Sequence, residues 1–249
     1  MLNIISQPSS GLPKLLIVHG LYGSARNWGV ISKRLSDIRD VSAVDMRNHG
    51  ASPWYDSHTY PDMARDLALV IEHLGGPVDV IGHSMGGKAA MTLALTHPEL
   101  IHKLIVADIA PVAYTHNPSN NIHAMRQVDL SRVERRADAL EQLQGLEPGL
   151  ADFFLQSLDM KEKRWRLNLN VLEKCMPEIV GWPSPQGKFE GDALFLSGAK
   201  SDYVRTEHKE TIREKFPNAK FAKLKDAGHW LHAEKPREFE AAVRSFLLM

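Results

Sequence analysis

Cysteine is almost missing from this chain: Cys175 is the one cysteine in 249 residues, which excludes an internal disulfide. Nothing in the cysteine usage therefore indicates an oxidising compartment. Cys175 stands between Leu172 and Met176 in an apolar-rich stretch, with no candidate base near it in sequence. This context favours a buried structural thiol.

Long apolar runs are missing as well. No stretch approaches the roughly 18 apolar residues that a membrane-spanning helix needs. Residues 1–6 lack the basic region and apolar core that open a secretory signal peptide. These absences predict a cytoplasmic protein without a membrane span.

A charge excess of either sign is also absent, because 30 Lys and Arg balance 30 Asp and Glu. No field strong enough to recruit nucleic acid or an anionic membrane follows from this balance. The basic clusters at 132–136 and 161–166 stand beside acidic residues and are interpreted as solvated helix faces. The composition thus predicts no nucleic-acid partner.

What the chain does have is a regular alternation of short apolar runs and longer amphipathic segments. This pattern is typical of a parallel sheet flanked by helices, and 249 residues suit one such domain. Strands are predicted at 14–19, 41–45, 78–82, 104–108, 193–197 and 220–224. Helices are predicted at 25–35, 62–74, 85–96, 207–216 and 236–248.

The alternation stops between about residues 111 and 191, where only helical patches occur, at 121–127, 133–143, 150–158 and 171–175. This stretch is far longer than a crossover between strands requires. It favours a helical cap over the edge where the strands end, although a pair of enlarged sheet-flanking helices is the alternative. We therefore predict a core of residues 1–110 and 188–249, with residues 111–187 inserted as the cap.

The strongest motif is Gly82-His83-Ser84-Met85-Gly86, which fits G-x-S-x-G. It follows an apolar run and leads into a helical segment, as expected of a sharp turn that presents a nucleophilic serine. The two glycines remove side chains that would crowd such a turn. The alternative is a glycine-rich helix start with Ser84 as its N-cap. Phosphate-binding patterns of the P-loop or G-x-G-x-x-G type are absent from the sequence.

A second loop, His-Gly-Leu-Tyr-Gly at 19–23, follows the first predicted strand. Acyl transfer needs two N–H donors for the developing oxyanion, one after the nucleophile and one from such a loop. We assign these donors to the backbone of Leu21 and Met85. His-Gly is also compatible with an ordinary strand-ending turn, and His19 is interpreted as a hydrogen-bonded structural histidine.

Of twelve histidines, His229 is the candidate base, because it follows the last predicted strand and precedes the C-terminal helix. A serine hydrolase of this architecture carries its histidine there, last in the chain order. His229 would take the proton of Ser84 and return it to the leaving group. His232 completes a His-x-x-His pair, but no further ligand stands at a suitable spacing, so no metal is predicted.

Two aspartates qualify as the acid that orients the histidine. In many such enzymes it lies in a G-x-x-D turn after the strand that follows the cap, but here Ser201 occupies that position and Asp202 comes one place late. Asp108 directly ends the 104–108 strand and is followed by a proline that stiffens the exit. The non-catalytic alternatives are that Asp108 belongs to a solvated turn at the end of the strand and that Asp202 is a loop residue or a helix N-cap. The residue pattern leaves both open.

With these motifs in place, the chain resembles the α/β-hydrolases over essentially its whole length. More narrowly, it is similar to the YbfF-like bacterial esterases and their mitochondrial abhydrolase relatives. Asn48, where most of the superfamily has glycine, and Lys88 after the serine motif make the narrower match specific. The matching segments are 19–24, 44–50, 82–88, 108–112 and 227–236.

The resemblance implies the α/β-hydrolase fold and an esterase that acts on short to medium acyl esters without a cofactor. It carries over Ser84 and His229 as catalytic residues. It also places the acid at Asp108, with a serine at the later site, which favours Asp108 over Asp202. The cap is the least similar part of the chain.

An ester hydrolase with a small-molecule substrate is therefore the predicted function. A thioesterase, a lactonase or a carbon–carbon bond hydrolase would use the same residues. Dehalogenase or epoxide hydrolase chemistry needs an aspartate nucleophile, whereas position 84 is serine. A non-catalytic ligand sensor on the same fold is the remaining alternative, disfavoured by the intact Ser84 and His229.

Three aromatic residues are candidates to line an apolar acyl pocket: Tyr22 on the first loop, Tyr114 after the fourth predicted strand, and Trp182 before the chain re-enters the sheet. Each is equally compatible with a core or surface position. Ser201 and Trp230 are predicted to lie near the site because they adjoin its candidate residues.

Overall fold

The computed structural model describes residues 1–7, 9, 13–115, 118–146 and 149–249. Its strands are β1 Ile4–Gln7, β2 Leu15–Val18, β3 Val41–Val44, β4 Val78–His83, β5 Ile101–Ala107, β6 Leu158–Asp159, β7 Arg164–Trp165, β8 Asp192–Gly198 and β9 Ala219–Leu224. Seven of them form one sheet in the order β1-β3-β2-β4-β5-β8-β9. Only β1 runs antiparallel within it, against β3. The predicted mostly parallel α/β architecture is confirmed.

The central strands of the sheet are covered on both faces, which explains why they are nearly continuous apolar runs. In β2, Leu15 and Ile17 belong to one core, whereas Leu16 and Val18 belong to the other. This alternation follows from the two-residue period of a strand. The helices around the sheet are α1 Gly29–Leu35, α2 Tyr60–Leu74, α3 Met85–Thr96, α9 His208–Lys215, α10 Leu231–Glu234 and α11 Pro236–Leu247.

Local signals explain where these helices begin and end. The hydroxyl of Thr59 accepts a hydrogen bond from the Asp62 N–H (3.3 Å) and caps α2. Gly75, with φ of 93°, ends the same helix in the left-handed conformation that glycine adopts readily. The helix predicted at 25–35 is divided, because Ala25–Trp28 forms a 3-10 turn before α1.

Two strand assignments differ from the prediction. The first strand, β1, was not predicted, because it is a four-residue edge strand that is only partly buried and ends in polar residues. The segment after β5 was predicted to hold no strand, which is wrong, because β6 and β7 form a small antiparallel hairpin there. Two residues in each strand are too few for a periodic pattern to reveal.

The described residues between β5 and β8 also form five short helices, α4 Ser119–Gln127, α5 Arg136–Gln142, α6 Leu150–Leu155, α7 Leu169–Lys174 and α8 Met176–Val180. This stretch contacts the loops that follow β2 and β3: Ser157 Oγ donates to the Tyr22 carbonyl (3.0 Å), and the Gly50 N–H donates to the Arg166 carbonyl (2.8 Å). These loops lie at the carboxyl ends of parallel strands. The division into a core and a cap at residues 111–187 stays a prediction. In the described ranges, no helix is both long and apolar enough to cross a membrane.

Candidate active site

Ser84 stands at the turn between β4 and α3. Its backbone has φ of 52° and ψ of −118°, a strained conformation for a residue with a side chain. The turn is held by hydrogen bonds from the Ser84 N–H to the Ala107 carbonyl and from the Lys88 N–H to the Ser84 carbonyl, each 3.0 Å. The strain that the G-x-S-x-G motif predicts is therefore present in the structure.

The two motif glycines allow close backbone contacts rather than space around the serine side chain. A Cβ on Gly82 would lie 2.5 Å from the Gly86 carbonyl oxygen, in the first turn of α3. A Cβ on Gly86 would lie 2.5 Å from the Val18 carbonyl oxygen, at the end of β2. The glycines thus let α3 start directly against two strands.

We expect Gly86→Ala to destabilise the protein by about 3 kcal/mol or more, because backbone atoms cannot move away as a flexible side chain can. Urea unfolding would measure this loss. Gly29→Ala is the matched control, because a Cβ at Gly29 in α1 meets no atom within 4 Å. That variant is expected to be about 0.5–1 kcal/mol more stable than wild type. Equal stability of the two variants would contradict the packing argument.

Three side chains from separate parts of the sequence meet at the carboxyl edge of the sheet. His229, in the turn between β9 and α10, has its Nε2 3.1 Å from Ser84 Oγ and its Nδ1 2.8 Å from Asp108 Oδ2. Asp108 follows β5 and is fully buried. The arrangement is a hydrogen-bonded serine–histidine–aspartate relay, the geometry of an activated nucleophile.

The Asp108 carboxylate is held by two further donors. Its Oδ1 accepts a hydrogen bond from the Gly198 N–H (3.0 Å), and its Oδ2 accepts one from Ser201 Oγ (2.5 Å). These two donors fix the direction in which the carboxylate points. Ser201 therefore lies beside the relay and contacts it through Asp108.

Asp202, the other candidate acid, is exposed. Its backbone carbonyl accepts a hydrogen bond from Arg205 Nε (3.2 Å). Across the part of the chain that the structure describes, no hydrogen bond joins the Asp202 carboxylate to His229. The geometry thus brings Asp108, and not Asp202, to the histidine.

Two residues that sequence reasoning missed position His229. The ring of Tyr203 stacks on the imidazole with centroids 4.0 Å apart. His83, inside the serine motif, donates from Nε2 to the His229 carbonyl (2.9 Å). Only their proximity to motif residues could have indicated these contacts.

The loop after β2 leaves a backbone donor available beside Ser84. The amides that follow Leu21 are engaged, since the Tyr22 N–H donates to His49 Nε2 (3.2 Å) and the Gly23 N–H to the Gly20 carbonyl (3.0 Å). Among the described residues, the Leu21 N–H and the Met85 N–H have no acceptor. Both residues line the same cavity as Ser84. Free amides in that position suit a developing oxyanion.

With this geometry established, comparison with known proteins places the chain. The family model described as "Alpha/beta hydrolase family" matches residues 15–242. The chain belongs to the alpha/beta hydrolase family.

Relatives of this α/β-hydrolase support the narrower resemblance. The mouse protein named sn-1-specific diacylglycerol lipase ABHD11 is 38% identical over 253 residues, covering 95% of this chain and 81% of that protein. Esterase YbfF of Escherichia coli (strain K12) is 37% identical over 240 residues, covering 94% and 92%. A solved structure described as a marine microorganism esterase has a TM-score of 0.93 at 38% identity and covers 98% of each chain. The chain is thus an enzyme, an esterase- or lipase-type α/β-hydrolase.

The hydrolase has a cavity above Ser84 with an empty volume of about 830 Å³, counting the space open to solvent at its mouth. Its walls are mostly apolar, as is usual for sites that bind small molecules. Tyr22, Tyr114 and Trp230 line it. Among the described residues, Trp182 is not one of those that line the cavity; its ring centroid lies 6.5 Å from that of Tyr60, which does line it.

Buried histidines support the loop that carries Leu21. His19 Nε2 accepts from the Met46 N–H (2.9 Å), so its Nδ1 donates to the Gly20 carbonyl (2.8 Å). His49 Nε2 accepts from the Tyr22 N–H, so its Nδ1 donates to the Arg47 carbonyl (2.9 Å). These bonds require neutral rings. His19 is thus a hydrogen-bonded structural histidine, whereas sequence reasoning missed His49.

His58 lies beside His49 and contacts Met85, with its Nε2 3.2 Å from the sulfur atom. Burial, with a smaller contribution from the Arg47 guanidinium, lowers the pKa of His58 to about 3. Burial also lowers the pKa of His49 well below its ordinary value. His49 and His58 therefore stay neutral at and below physiological pH.

Neutral buried histidines make stability depend on pH with a definite sign. The unfolded chain binds a proton at His58 near pH 6.5, whereas the folded chain does so only near pH 3. The unfolded state therefore binds more protons in this window, so stability is lost as pH falls through it. We expect His58→Gln to lose less stability than wild type between pH 7 and about pH 4.5 in urea unfolding.

The exposed His97 gives a control, and His97→Gln should retain the wild-type dependence on pH. A His58→Gln variant whose unfolding midpoint falls with pH as steeply as that of wild type would contradict the neutral state of His58.

The two histidines of the His-x-x-His pair contact different partners. His229 lies in the relay, whereas the ring of the buried His232 stacks on Trp28 with centroids 4.0 Å apart. Within the described ranges, no group of three or more histidine, cysteine, aspartate or glutamate side chains is placed to hold a metal ion.

Proposed function

We propose that this α/β-hydrolase is a serine carboxylesterase that cleaves short to medium acyl esters of small molecules through an acyl-enzyme. The observation that carries the proposal is the relay of Ser84, His229 and Asp108, with 3.1 Å and 2.8 Å between its members. The two free amides beside it supply the second requirement of acyl transfer, a site for the oxyanion.

In the first half of the reaction, Ser84 Oγ attacks the ester carbonyl carbon while its proton passes to His229 Nε2. The negative charge that forms on the carbonyl oxygen accepts hydrogen bonds from the Leu21 and Met85 N–H groups. His229 then gives its proton to the departing alkoxide, which leaves as the alcohol. The acyl group remains on Ser84.

In the second half, His229 takes a proton from water, and the resulting hydroxide attacks the acyl carbon. Collapse of this second intermediate returns the proton to Ser84 Oγ and releases the carboxylic acid. Asp108 holds the Nδ1–H of His229 in place and stabilises the imidazolium in both halves. Every step uses side chains and amides of this chain and water.

The cavity supports an ester with an apolar acyl group, because aromatic and aliphatic side chains form most of its wall. The relatives agree in type, since their names describe an esterase and a diacylglycerol lipase. The limit to short and medium chains comes from the resemblance to the YbfF-like esterases.

The deciding experiment measures kcat/KM across p-nitrophenyl esters of increasing acyl length, beside a matched panel of acyl-CoA thioesters. We expect the highest values for short to medium oxygen esters. A fluorophosphonate probe, mapped by mass spectrometry, should label Ser84. Preference for the thioesters would transfer the function to thioester hydrolysis, and failure of labelling would favour a non-catalytic protein.

A further inference from the structure

Lys88 has an unusual environment for a lysine. It follows Ser84 by about one turn of α3, is 1% exposed and lines the cavity. Its Nζ donates to the Val180 carbonyl (2.9 Å) and to the Gly181 carbonyl (2.5 Å), where α8 ends. Among the salt bridges of the described residues, none joins Lys88 to a carboxylate. The ammonium group is thus buried on carbonyl oxygens alone.

Aromatic residues complete this environment. The Lys88 Nζ lies 4.7 Å from the ring centroid of Tyr114 and 5.7 Å from that of Tyr60, within the range of cation–π attraction. The carboxyl end of a helix carries partial negative charge, which also favours a cation. Together these groups offset part of the cost of burying the charge.

The same contacts anchor a stretch of cavity wall. Tyr60 OH donates to the Ile179 carbonyl (2.5 Å), and the Tyr114 N–H donates to the Val180 carbonyl (2.9 Å). With the two bonds from Lys88, the three consecutive carbonyls of residues 179–181 all accept hydrogen bonds from residues outside α8. Ile179 and Val180 line the cavity. The end of α8 is therefore tied to the helix that begins after the nucleophile.

Holding a cation there has a cost that an apolar residue would avoid. Burial lowers the pKa of Lys88 from its ordinary value to about 7, so the protein itself disfavours the charged form. A methionine of similar length would fill the same space without this penalty. Methionine, however, donates no hydrogen bond to the carbonyls of residues 180 and 181. The hydrogen bonds to these two carbonyls are therefore what lysine provides at position 88 and methionine would not.

We propose that Lys88 is a positioning residue that fixes the cavity wall of Ile179 and Val180 relative to Ser84, and thereby limits the length of acyl chain that the site accepts. The inference rests on the proposed esterase function. Lys88 touches no reacting atom in this mechanism and acts through the position of the wall.

The test compares wild type with Lys88→Met across the p-nitrophenyl ester series. In Lys88→Met the cavity wall is no longer held, so the ratio of kcat/KM for the octanoyl ester to kcat/KM for the acetyl ester should rise about tenfold or more. The change should arise mainly from KM. A single methylene group in an apolar pocket already changes kcat/KM by about tenfold or more. Lys88→Arg keeps donors for both carbonyls and is expected to stay closer to the wild-type ratio.

Lys103 provides a matched control away from the cavity. Its Nζ likewise donates to two main-chain carbonyls, of Phe246 (3.1 Å) and Leu247 (3.4 Å), and lies 5.5 Å from the Phe246 ring centroid. Lys103→Met should leave the acyl-length ratio unchanged. Loss of a lysine that donates to two main-chain carbonyls then cannot by itself account for the change in Lys88→Met.

If Lys88→Met does not fold, Tyr60→Phe is the substitute variant. It removes only one hydroxyl, and with it the hydrogen bond to the Ile179 carbonyl that also holds this wall. It should shift the ratio in the same direction by a smaller factor. An unchanged ratio in a folded Lys88→Met, or in Tyr60→Phe where that is the variant available, would overturn the proposal. A wild type inactive on every ester would contradict the proposed function and this inference together.

Discussion

Ser84→Ala is expected to fold normally and to lower kcat for ester hydrolysis by about 10⁵–10⁶-fold, as loss of a serine nucleophile does in other hydrolases. Ser84 Oγ is the hydroxyl that hydrogen-bonds to His229 Nε2, so alanine removes both the attacking atom and the proton that the histidine takes. Binding and the two oxyanion amides remain in this variant. They should leave a residual rate of about 10³–10⁴ over the reaction in water.

The measurement is turnover of p-nitrophenyl acetate by wild type and variant, with circular dichroism to establish that each is folded. Ser36→Ala is the matched control, because it removes a hydroxyl whose partner is the Lys33 carbonyl on the surface. Ser84→Ala should also lose labelling by the fluorophosphonate probe, and Ser36→Ala should retain it. Near-wild-type turnover in Ser84→Ala would refute the assignment of the nucleophile.

Asp108→Asn is expected to lower kcat by about 10⁴-fold with little change in shape. The carboxylate accepts the Nδ1–H of His229 at 2.8 Å, and this bond leaves Nε2 free to take the proton of Ser84. An asparagine NH₂ group at the same place would donate to Nδ1 and stabilise the wrong tautomer. It would also remove the charge that stabilises the imidazolium.

Asp202→Asn is the matched control for this variant, because it makes the same chemical change at an exposed side chain in the loop after β8. We expect it to change kcat by no more than about twofold, as is usual for surface substitutions. Both variants should be compared by kcat and by thermal unfolding. The opposite ranking would transfer the role to Asp202, and two small effects would mean that neither aspartate is essential alone.

Features set by neighbouring residues were predictable from the sequence. Both faces of the central strands are covered, so an unbroken apolar run such as 15–18 carries its own signal. The turn at Ser84 was predictable because the glycines that it needs stand two residues away on each side. The position of His229 after the last strand follows from the chain order of this architecture.

Features set by distant residues were not predictable in this way. β1 pairs with β3 through a register that no local pattern in Ile4–Gln7 reveals. The sequence around an aromatic residue between β5 and β8 does not show which way its ring points, and the structure places Tyr114, but not Trp182, among the residues that line the cavity. Buried neutral histidines such as His49 likewise depend on which backbone N–H the fold brings to their rings.

The aspartate of the relay shows most clearly the difference between what neighbouring residues determine and what only the tertiary structure determines. By its own residues, the sequence determined that an aspartate at the end of a strand would serve and narrowed the choice to Asp108 and Asp202; the family resemblance then favoured Asp108. Only the tertiary structure brought one of them to His229, because β5 and β8 lie side by side and the Gly198 N–H binds the Asp108 carboxylate across them. Hydrogen bonds depend on distance in space, and residues 90 positions apart in the chain acquire that distance only when the sheet assembles.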